Sequence, residues 1–144
     1  MSTDIYPMPM FPTLAVANVA ASTRWYEALG FQHVFTWPGP TGQPLLVHLR
    51  WAKYADLLIL QDASPDMRER GHGITLTFTL QTDEVESLAE RAASSGSRIL
   101  AEPTVQPWNA RDVSIADPDG YRLTFSFGPV DADATIDQLT ERSR

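Results

Sequence analysis

Hydrophobic and polar residues alternate along several short stretches of this chain, which is the pattern of β-strands, whereas two longer stretches repeat at helical spacing. In the first helical stretch Val19, Tyr26 and Leu29 fall on one face. Asn18 precedes this stretch and can cap its first turn, and Gly30 follows it, as is common where a helix ends. We therefore predict a helix over Val19–Leu29.

The same arrangement occurs twice along the chain. The second helical stretch begins at Val85, 66 positions after Val19, and each helix has one strand-like stretch before it and three after it. The predicted strands are residues 14–16, 31–37, 44–51, 57–61, 75–80, 98–105, 112–116 and 121–127. The sequence therefore predicts an α+β fold of two βαβββ modules, at about residues 10–62 and 73–128.

Turn-forming residues separate these elements. We interpret Asp117-Pro118-Asp119-Gly120 as a tight turn before the last strand, and its aspartates as turn residues rather than catalytic carboxylates or a calcium loop. Residues 62–73 link the modules, so residues 1–128 form a single domain. Residues 129–144 form a polar C-terminal tail, either frayed or folded as a short helix with one apolar side.

Composition and charge restrict the classes of function. The chain has 144 residues, 43% of them hydrophobic, which is enough to bury a sizeable core. Its 11 basic and 18 acidic residues give a net charge of −7, which opposes binding to nucleic acids or anionic membranes and favours cationic small molecules. The absence of cysteine excludes disulfides, thiolate nucleophiles and cysteine-ligated zinc. With no signal-like N-terminus and no membrane-length apolar run, we expect a cytoplasmic protein.

Two motifs within the repeat resemble a known family. Residues 24–31 read Arg-Trp-Tyr-Glu-Ala-Leu-Gly-Phe and residues 117–121 read Asp-Pro-Asp-Gly-Tyr. Over about residues 10–128 the chain resembles the vicinal oxygen chelate superfamily of glyoxalases, extradiol dioxygenases and bleomycin resistance proteins. Residues 106–108, Gln-Pro-Trp, resemble the bleomycin-resistance branch in particular. The resemblance implies two modules whose sheets curve around a cleft, commonly completed by a homodimer.

Enzymes of the glyoxalase type in this superfamily hold a divalent metal with His or carboxylate side chains from four strands. The resemblance places these positions at Phe11, Ile59, Thr77 and Thr124. None of these is a His, Asp or Glu, and such side chains do not supply ligands of adequate basicity for Zn, Ni, Mn or Fe. We therefore expect no metal and no other cofactor, and we expect these positions to belong to an organic-ligand cavity or to the core.

Aromatic side chains are the main candidates for ligand contacts. Trp108, Trp37 and Phe35 can provide a stacking platform for a flat ligand, whereas packing in the core or in a dimer is the competing interpretation. Strand alternation places hydroxyls on single faces of two strands, so a hydroxyl-lined floor with one arginine follows if these faces point inward. The residues of this floor are Thr75, Thr77, Thr79, Arg122, Thr124 and Ser126.

Charged residues near these strands allow two interpretations each. His48 and Arg50 share one strand face and either orient a ligand in the cleft or lie on the solvated face of the sheet. Arg111 and Asp112, close to Trp108, either pair with each other or contact a polar group of the ligand.

The sequence favours a metal-free protein that binds and sequesters a planar or cationic antibiotic-like ligand, as a homodimer. The expected ligand-binding residues are Trp108, Trp37, Phe35, Phe11, Ile59, Thr77, Thr124, His48, Arg50 and Arg122. Two alternatives stay open. One is a metal-dependent isomerase, dioxygenase or thiol transferase that uses His48 with Glu102 or Asp56. The other is a non-catalytic interaction domain.

Overall fold

The computed structural model describes residues 2–64 and 70–144. Its elements are β1 (Thr13–Val16), α1 (Val19–Leu29), β2 (Gln32–Pro38), β3 (Pro44–Ala52), β4 (Ala55–Gln61), β5 (Thr75–Thr79), α2 (Val85–Ser94), β6 (Arg98–Val105), β7 (Arg111–Ala116), β8 (Arg122–Phe127) and α3 (Ile136–Arg142). Every predicted element is confirmed, with small shifts at the ends. Within the predicted link 62–73, residues 65–69 lie outside the described residues.

Each module contributes one four-stranded sheet. The strand orders are β1-β4-β3-β2 and β5-β8-β7-β6. In both sheets the first strand pairs in parallel with the last strand of its module, and the other pairs are antiparallel. The α+β class and the two βαβββ modules are thereby confirmed.

The chain divides into two compact units that nearly follow the modules. Unit 1 contains the residues up to His72 together with Pro118–Gly120, and unit 2 contains Gly73–Asp117 and Tyr121–Arg144. None of the helices in the described parts of the chain has the length and apolar character needed to cross a membrane.

In unit 1 the helix packs on one face of its sheet. The Asn18 side chain accepts a hydrogen bond from the Ala21 N–H at 2.9 Å and caps α1 as predicted, and the helix ends at Gly30, whose φ is 123°. The Tyr26 side chain is fully buried and its ring meets Phe31 edge to face, with centroids 5.1 Å apart. Phe31 in turn packs against Trp51, so Trp51 belongs to this aromatic cluster.

In unit 2 the corresponding face of the sheet packs beneath α2. Phe78 and Phe125 stack across β5 and β8 with centroids 5.5 Å apart, and Val85, Leu88 and Ala92 are buried on the helix. Because side chains alternate along a strand, the threonine and serine side chains of β5 and β8 lie on the opposite face of the sheet from this core. That face is the one on which the sequence predicted a hydroxyl-lined floor.

The turn before β8 forms as predicted. The Asp117 side chain accepts from the Tyr121 N–H at 2.8 Å, the Asp117 N–H donates to the Tyr121 carbonyl at 2.9 Å, and Gly120 takes a φ of 93°. Asp119 has a further role in unit 1. Its Oδ1 accepts from the Ala17 N–H at 2.8 Å and from Arg70 at 3.1 Å.

Candidate ligand-binding site

Trp108 lies at the tip of the loop between β6 and β7 in unit 2, where its side chain is 64% exposed. The loop closes through two backbone hydrogen bonds, from the Gln106 N–H to the Ala110 carbonyl at 2.6 Å and from the Asn109 N–H to the Gln106 carbonyl at 3.1 Å. Asn109 has a φ of 71°, a conformation that asparagine tolerates better than most residues. The loop therefore holds the Trp108 ring away from the core.

Asn109 also fixes the start of the C-terminal segment. Its Oδ1 accepts from the Asp131 N–H and its Nδ2 donates to the Asp131 carbonyl, each at 2.8 Å, while its carbonyl accepts from the Val130 N–H at 3.0 Å. A Cβ added to Gly128 would lie 2.9 Å from the Asn109 carbonyl oxygen, so the two backbones approach closely. Residues 128–131 are consequently held against the Trp108 loop.

The predicted tail folds as α3, which begins with a capping box between Thr135 and Gln138. The helix buries none of its side chains fully, and Ile136 is 76% exposed. Leu139 is half-buried and lines a cavity of about 310 Å³ with Ile136, Pro107 and Trp108. The helix interpretation of the tail is therefore the one observed.

A second, larger cavity of about 410 Å³ is lined by residues of unit 2. Trp108, Ile136 and Leu139 line it, and Thr79 and Ser126 contribute hydroxyls. Aromatic, apolar and hydroxyl groups therefore meet around one cavity. This is the usual composition of a small-molecule pocket, which is mostly apolar with a few polar groups.

The hydroxyl floor has the predicted register. Thr77 pairs with Thr124 and Thr79 with Ser126 in the parallel pair of β5 and β8, so their side chains share a face. On the same face Ser114 and Thr124 share a buried hydrogen bond of 2.7 Å. Arg122 begins β8 and is exposed, at the opposite end of the strand from Ser126.

Asp112 is the unusual residue of this face. It is 9% exposed, and its Oδ1 is buried without a hydrogen-bond partner among the described residues. Its register partner on β8 is Ser126, which lines the larger cavity. Leaving a buried polar atom unpaired costs roughly 1–3 kcal/mol, and more for a charged group.

Arg111 does not neutralise Asp112, because neighbouring residues of a strand point to opposite faces. Arg111 instead pairs with Glu86 and lies 3.7 Å from Asp83. The sequence interpretation that paired Arg111 with Asp112 is therefore wrong.

In unit 1 the pair His48 and Arg50 forms a buried cluster with Asp56. Arg50 donates from Nε to Asp56 Oδ1 and from Nη2 to Oδ2, each at 2.8 Å, and His48 Nε2 lies 2.6 Å from Oδ2. Burial alone would raise the pKa of Asp56, but the hydrogen bonds from Arg50 and His48 outweigh it and lower the pKa below its usual value. Arg50 is 1% exposed, so it lies neither on a solvated face nor at an open ligand surface, in contrast to both sequence interpretations.

The N-terminal segment covers the outer side of this cluster. Arg50 donates from Nη1 to the Ser2 carbonyl at 2.7 Å, and its guanidinium lies 4.5 Å from the centre of the Tyr6 ring. The Tyr6 hydroxyl accepts from the Tyr54 N–H at 3.0 Å. A cavity of about 310 Å³ lined by Ser2, Asp4, Tyr6, Arg50 and Lys53 lies here.

The remaining predicted contacts in unit 1 have different environments. Phe35 and Trp37 are 38% and 59% exposed, and their ring centroids lie 6.0 Å apart, so they form an exposed aromatic pair. Phe11 is also exposed. Ile59, in contrast, is fully buried and pairs with the buried Val47, so its place in the ligand-binding set is wrong.

The side chains at the family's metal positions do not fit a metal centre. Ile59 is in the core, and Thr77 and Thr124 offer only neutral hydroxyls. Residues 2–64 and 70–144 contain no group of three His, Asp or Glu side chains that could hold a metal ion. His48 does meet Asp56, as one alternative required, but Arg50 binds both oxygens of that carboxylate. Glu102 is exposed on β6 of unit 2.

Sequence reasoning missed two residues that shape these sites and left the environment of a third open. Asn109 and Asp131 anchor the C-terminal segment, and Asp112 has a buried Oδ1 without a hydrogen-bond partner among the described residues. Strand parity was an available signal for Asp112, because it alternates with Ser114 on the hydroxyl face. No local pattern connects Asn109 with Asp131, which are 22 positions apart.

Solved structures of the same fold include proteins with different activities. A bleomycin-binding protein complexed with bleomycin is 22% identical, with a TM-score of 0.62 over 85% of this chain and 99% of that one. A glyoxalase-related enzyme from Fulvimarina pelagi is 23% identical, with a TM-score of 0.67 over 90% and 96%. The fosfomycin resistance protein FosX from Listeria monocytogenes, complexed with Mn(II) and sulfate, is 17% identical, with a TM-score of 0.65 over 97% and 100%. At these identities the likeness establishes the fold alone.

No curated protein matches the chain significantly in sequence. The sequence profile of the Glyoxalase/Bleomycin resistance protein/Dioxygenase superfamily, however, matches residues 10–125. That range covers nearly all of both modules, including the Trp108 loop and the turn before β8. The chain therefore belongs to the Glyoxalase/Bleomycin resistance protein/Dioxygenase superfamily.

Proposed function

We propose that this protein binds and sequesters a small organic ligand at the Trp108 cavity of unit 2, without metal chemistry. The observation that carries the proposal is the cavity of about 410 Å³ in which Trp108 meets the hydroxyls of Thr79 and Ser126. Its volume is within the range of about 300–1,000 Å³ that is usual for small-molecule pockets.

The groups around the cavity suit binding rather than catalysis. The Trp108 ring can stack on a flat ligand, which contributes about 0.5–1.5 kcal/mol beyond its buried area. Ile136 and Leu139 of α3 form an apolar wall, and Thr79 and Ser126 fix orientation by hydrogen bonds. A hydroxyl without an activating base does not abstract protons near neutral pH. The hydroxyls that line the cavity therefore suit holding a ligand rather than transforming it.

Charge and the superfamily favour a planar or cationic antibiotic-like ligand. The net charge of −7 attracts cations over a distance, and a protein of this fold has been solved with bleomycin bound. We extend the proposed contacts to the hydroxyl floor, through Thr77, Thr124 and Arg122. We further propose that the protein acts as a cytoplasmic homodimer.

In unit 1 we retain the exposed aromatic residues Phe35, Trp37 and Phe11 as proposed ligand contacts. His48 is half-buried and borders Phe35 in the register of β2 and β3, so it stays in the set. We remove Arg50 from the set of proposed ligand contacts. Its guanidinium already donates hydrogen bonds to Asp56 and to the Ser2 carbonyl.

The test is calorimetric titration with planar aromatic probes, namely proflavine and acridine. We expect saturable binding that Trp108→Ala weakens about tenfold or more, because the stacking surface is lost. Trp25→Phe is the matched control, since Trp25 packs against Tyr26 on α1 in unit 1. Equal affinities of wild type and Trp108→Ala would place the ligand elsewhere. Stoichiometric metal in protein purified without chelators would contradict the metal-free mechanism.

A further inference from the structure

The buried side chain of Asp112 lies on the same sheet face as Ser126, which lines the Trp108 cavity. Asp112 pairs in register with Ser126, and Ser126 lines that cavity together with Thr79. Because parallel and antiparallel register partners share a face, the three side chains lie on the same face of the sheet. Asp112 is 9% exposed, and its Oδ1 is among the buried atoms of this face.

The neighbours of Asp112 leave its charge uncompensated. Its Oδ1 has no hydrogen-bond donor among the described residues. Thr104, its register partner on β6, uses its hydroxyl to donate to the Glu102 carbonyl at 2.8 Å. Arg111 points to the other face and pairs with Glu86. A buried carboxylate normally has a charged or hydrogen-bonding partner, and the described residues supply none to Asp112 Oδ1.

We propose that Asp112 is the charge-selecting residue of the Trp108 cavity and that the ligand is an organic cation with a protonated nitrogen. This inference rests on the proposed function and specifies its ligand class. The cation's N–H satisfies the Asp112 carboxylate at the Ser126 end, while the flat part of the ligand lies against Trp108. Charge-assisted hydrogen bonds are about twice as strong as neutral ones, and they gain further where water is excluded. A cation over the Trp108 ring is attracted by the ring as well.

The experiment compares two probes of similar shape on the folded full-length protein. Proflavine is a planar cation with N–H groups at neutral pH, and acridine is a neutral ring system of nearly the same outline. We expect wild type to bind proflavine roughly tenfold or more tightly than acridine, and Asp112→Asn to remove most of that preference. Glu90→Gln, an exposed change on α2 with the same loss of charge, should retain the preference.

The outcomes separate this inference from the proposed function. If acridine and proflavine bind wild type equally well, or if Asp112→Asn keeps the preference, Asp112 does not select charge, although the cavity still binds ligands. If neither probe binds, the proposed function and this inference both fail. The comparison on wild type needs no variant, so it stands even if Asp112→Asn does not fold.

Discussion

Arg50 and Asp56 are joined by two hydrogen bonds of 2.8 Å, one from Nε and one from Nη2, and both side chains are almost completely buried. Arg50 lies on β3 and Asp56 on β4, where they are direct register partners. The planar guanidinium matches the carboxylate, which is the geometry expected for a strong buried pair. The pair is therefore a charged cross-strand contact inside the sheet of unit 1.

We predict that Asp56→Ala lowers the free energy of unfolding by about 3–5 kcal/mol, because it leaves the Arg50 guanidinium buried without its partner. Urea denaturation followed by circular dichroism measures this change. The double variant Arg50→Met with Asp56→Leu is the control, since replacing both charges with apolar groups of similar size is often nearly neutral. A loss below about 1 kcal/mol for the single variant would mean that the pair is as weak as an exposed ion pair.

The same pair predicts a pH dependence of stability. The folded-state pKa of Asp56 is lowered because the bonds from Arg50 and His48 outweigh burial. A carboxylate of this kind adds stability above its unfolded pKa of about 3.9, and that stability is lost as pH falls through the folded pKa. The difference in unfolding free energy between wild type and Asp56→Asn should therefore be largest at neutral pH and shrink below about pH 4. A difference that is constant with pH would contradict this linkage.

We predict that Asn109→Gly releases the C-terminal segment. Glycine keeps the positive φ of 71° without strain, but both side-chain hydrogen bonds to Asp131 are lost. Hydrogen–deuterium exchange should increase across residues 130–142, while the strands of unit 2 keep their protection. Unchanged exchange in that segment would mean that contacts of α3 with Trp108 hold it without Asn109.

A close backbone contact gives a second test of the same anchor. Gly128→Ala places a Cβ 2.9 Å from the Asn109 carbonyl oxygen, so one of the two backbones must move. We expect a loss of about 1–3 kcal/mol in unfolding free energy, which is typical of overpacking. Thermal unfolding measures it, and Gly42→Ala is the control, because its added Cβ meets nothing and reports only the strain of a positive φ. A smaller effect at Gly128 than at Gly42 would show that the contact yields easily.

We also predict that Ser114 and Thr124 are energetically coupled. Their hydroxyls share a buried hydrogen bond of 2.7 Å across β7 and β8. Removing either partner should cost about 1–3 kcal/mol, because the other hydroxyl is left unpaired. Removing both should cost less than the sum of the single changes, and a double-mutant cycle of Ser114→Ala and Thr124→Val measures the difference. Strict additivity would show that water replaces the missing partner.

Strand alternation made most of the fold predictable but failed where both faces of a strand are apolar. In β5 the threonines alternate with Leu76 and Phe78, so the hydroxyl face could be assigned from sequence. In β4 residues 57–60 are all apolar, and no alternation shows which of them faces the helix. The resemblance assigns Ile59 to the ligand site, whereas its burial and its pairing with the buried Val47 put it in the core.

Contacts that depend on register across a hairpin could not be read from spacing. Arg50 and Asp56 are six residues apart in sequence. They meet because the turn between β3 and β4 consists of only two residues, Lys53 and Tyr54. Asp112 could be assigned to a face by parity, but its burial depends on the strands and the segment that pack around it. The family motifs thus predicted the fold. Which side chains line the cavity could be determined only from the structure.

Asp119 bears on the order in which this protein folds during synthesis. Unit 1 includes Pro118–Gly120, and Asp119 supplies the acceptor for the Ala17 N–H beside α1 and for Arg70. A nascent chain that ends at His72 therefore lacks part of its first unit. That unit reaches its final set of hydrogen bonds only after the ribosome has released residue 120, by which time most of the second sheet has also been made. A fragment that contains only the first module would therefore leave the Ala17 N–H and Arg70 without the Asp119 acceptor.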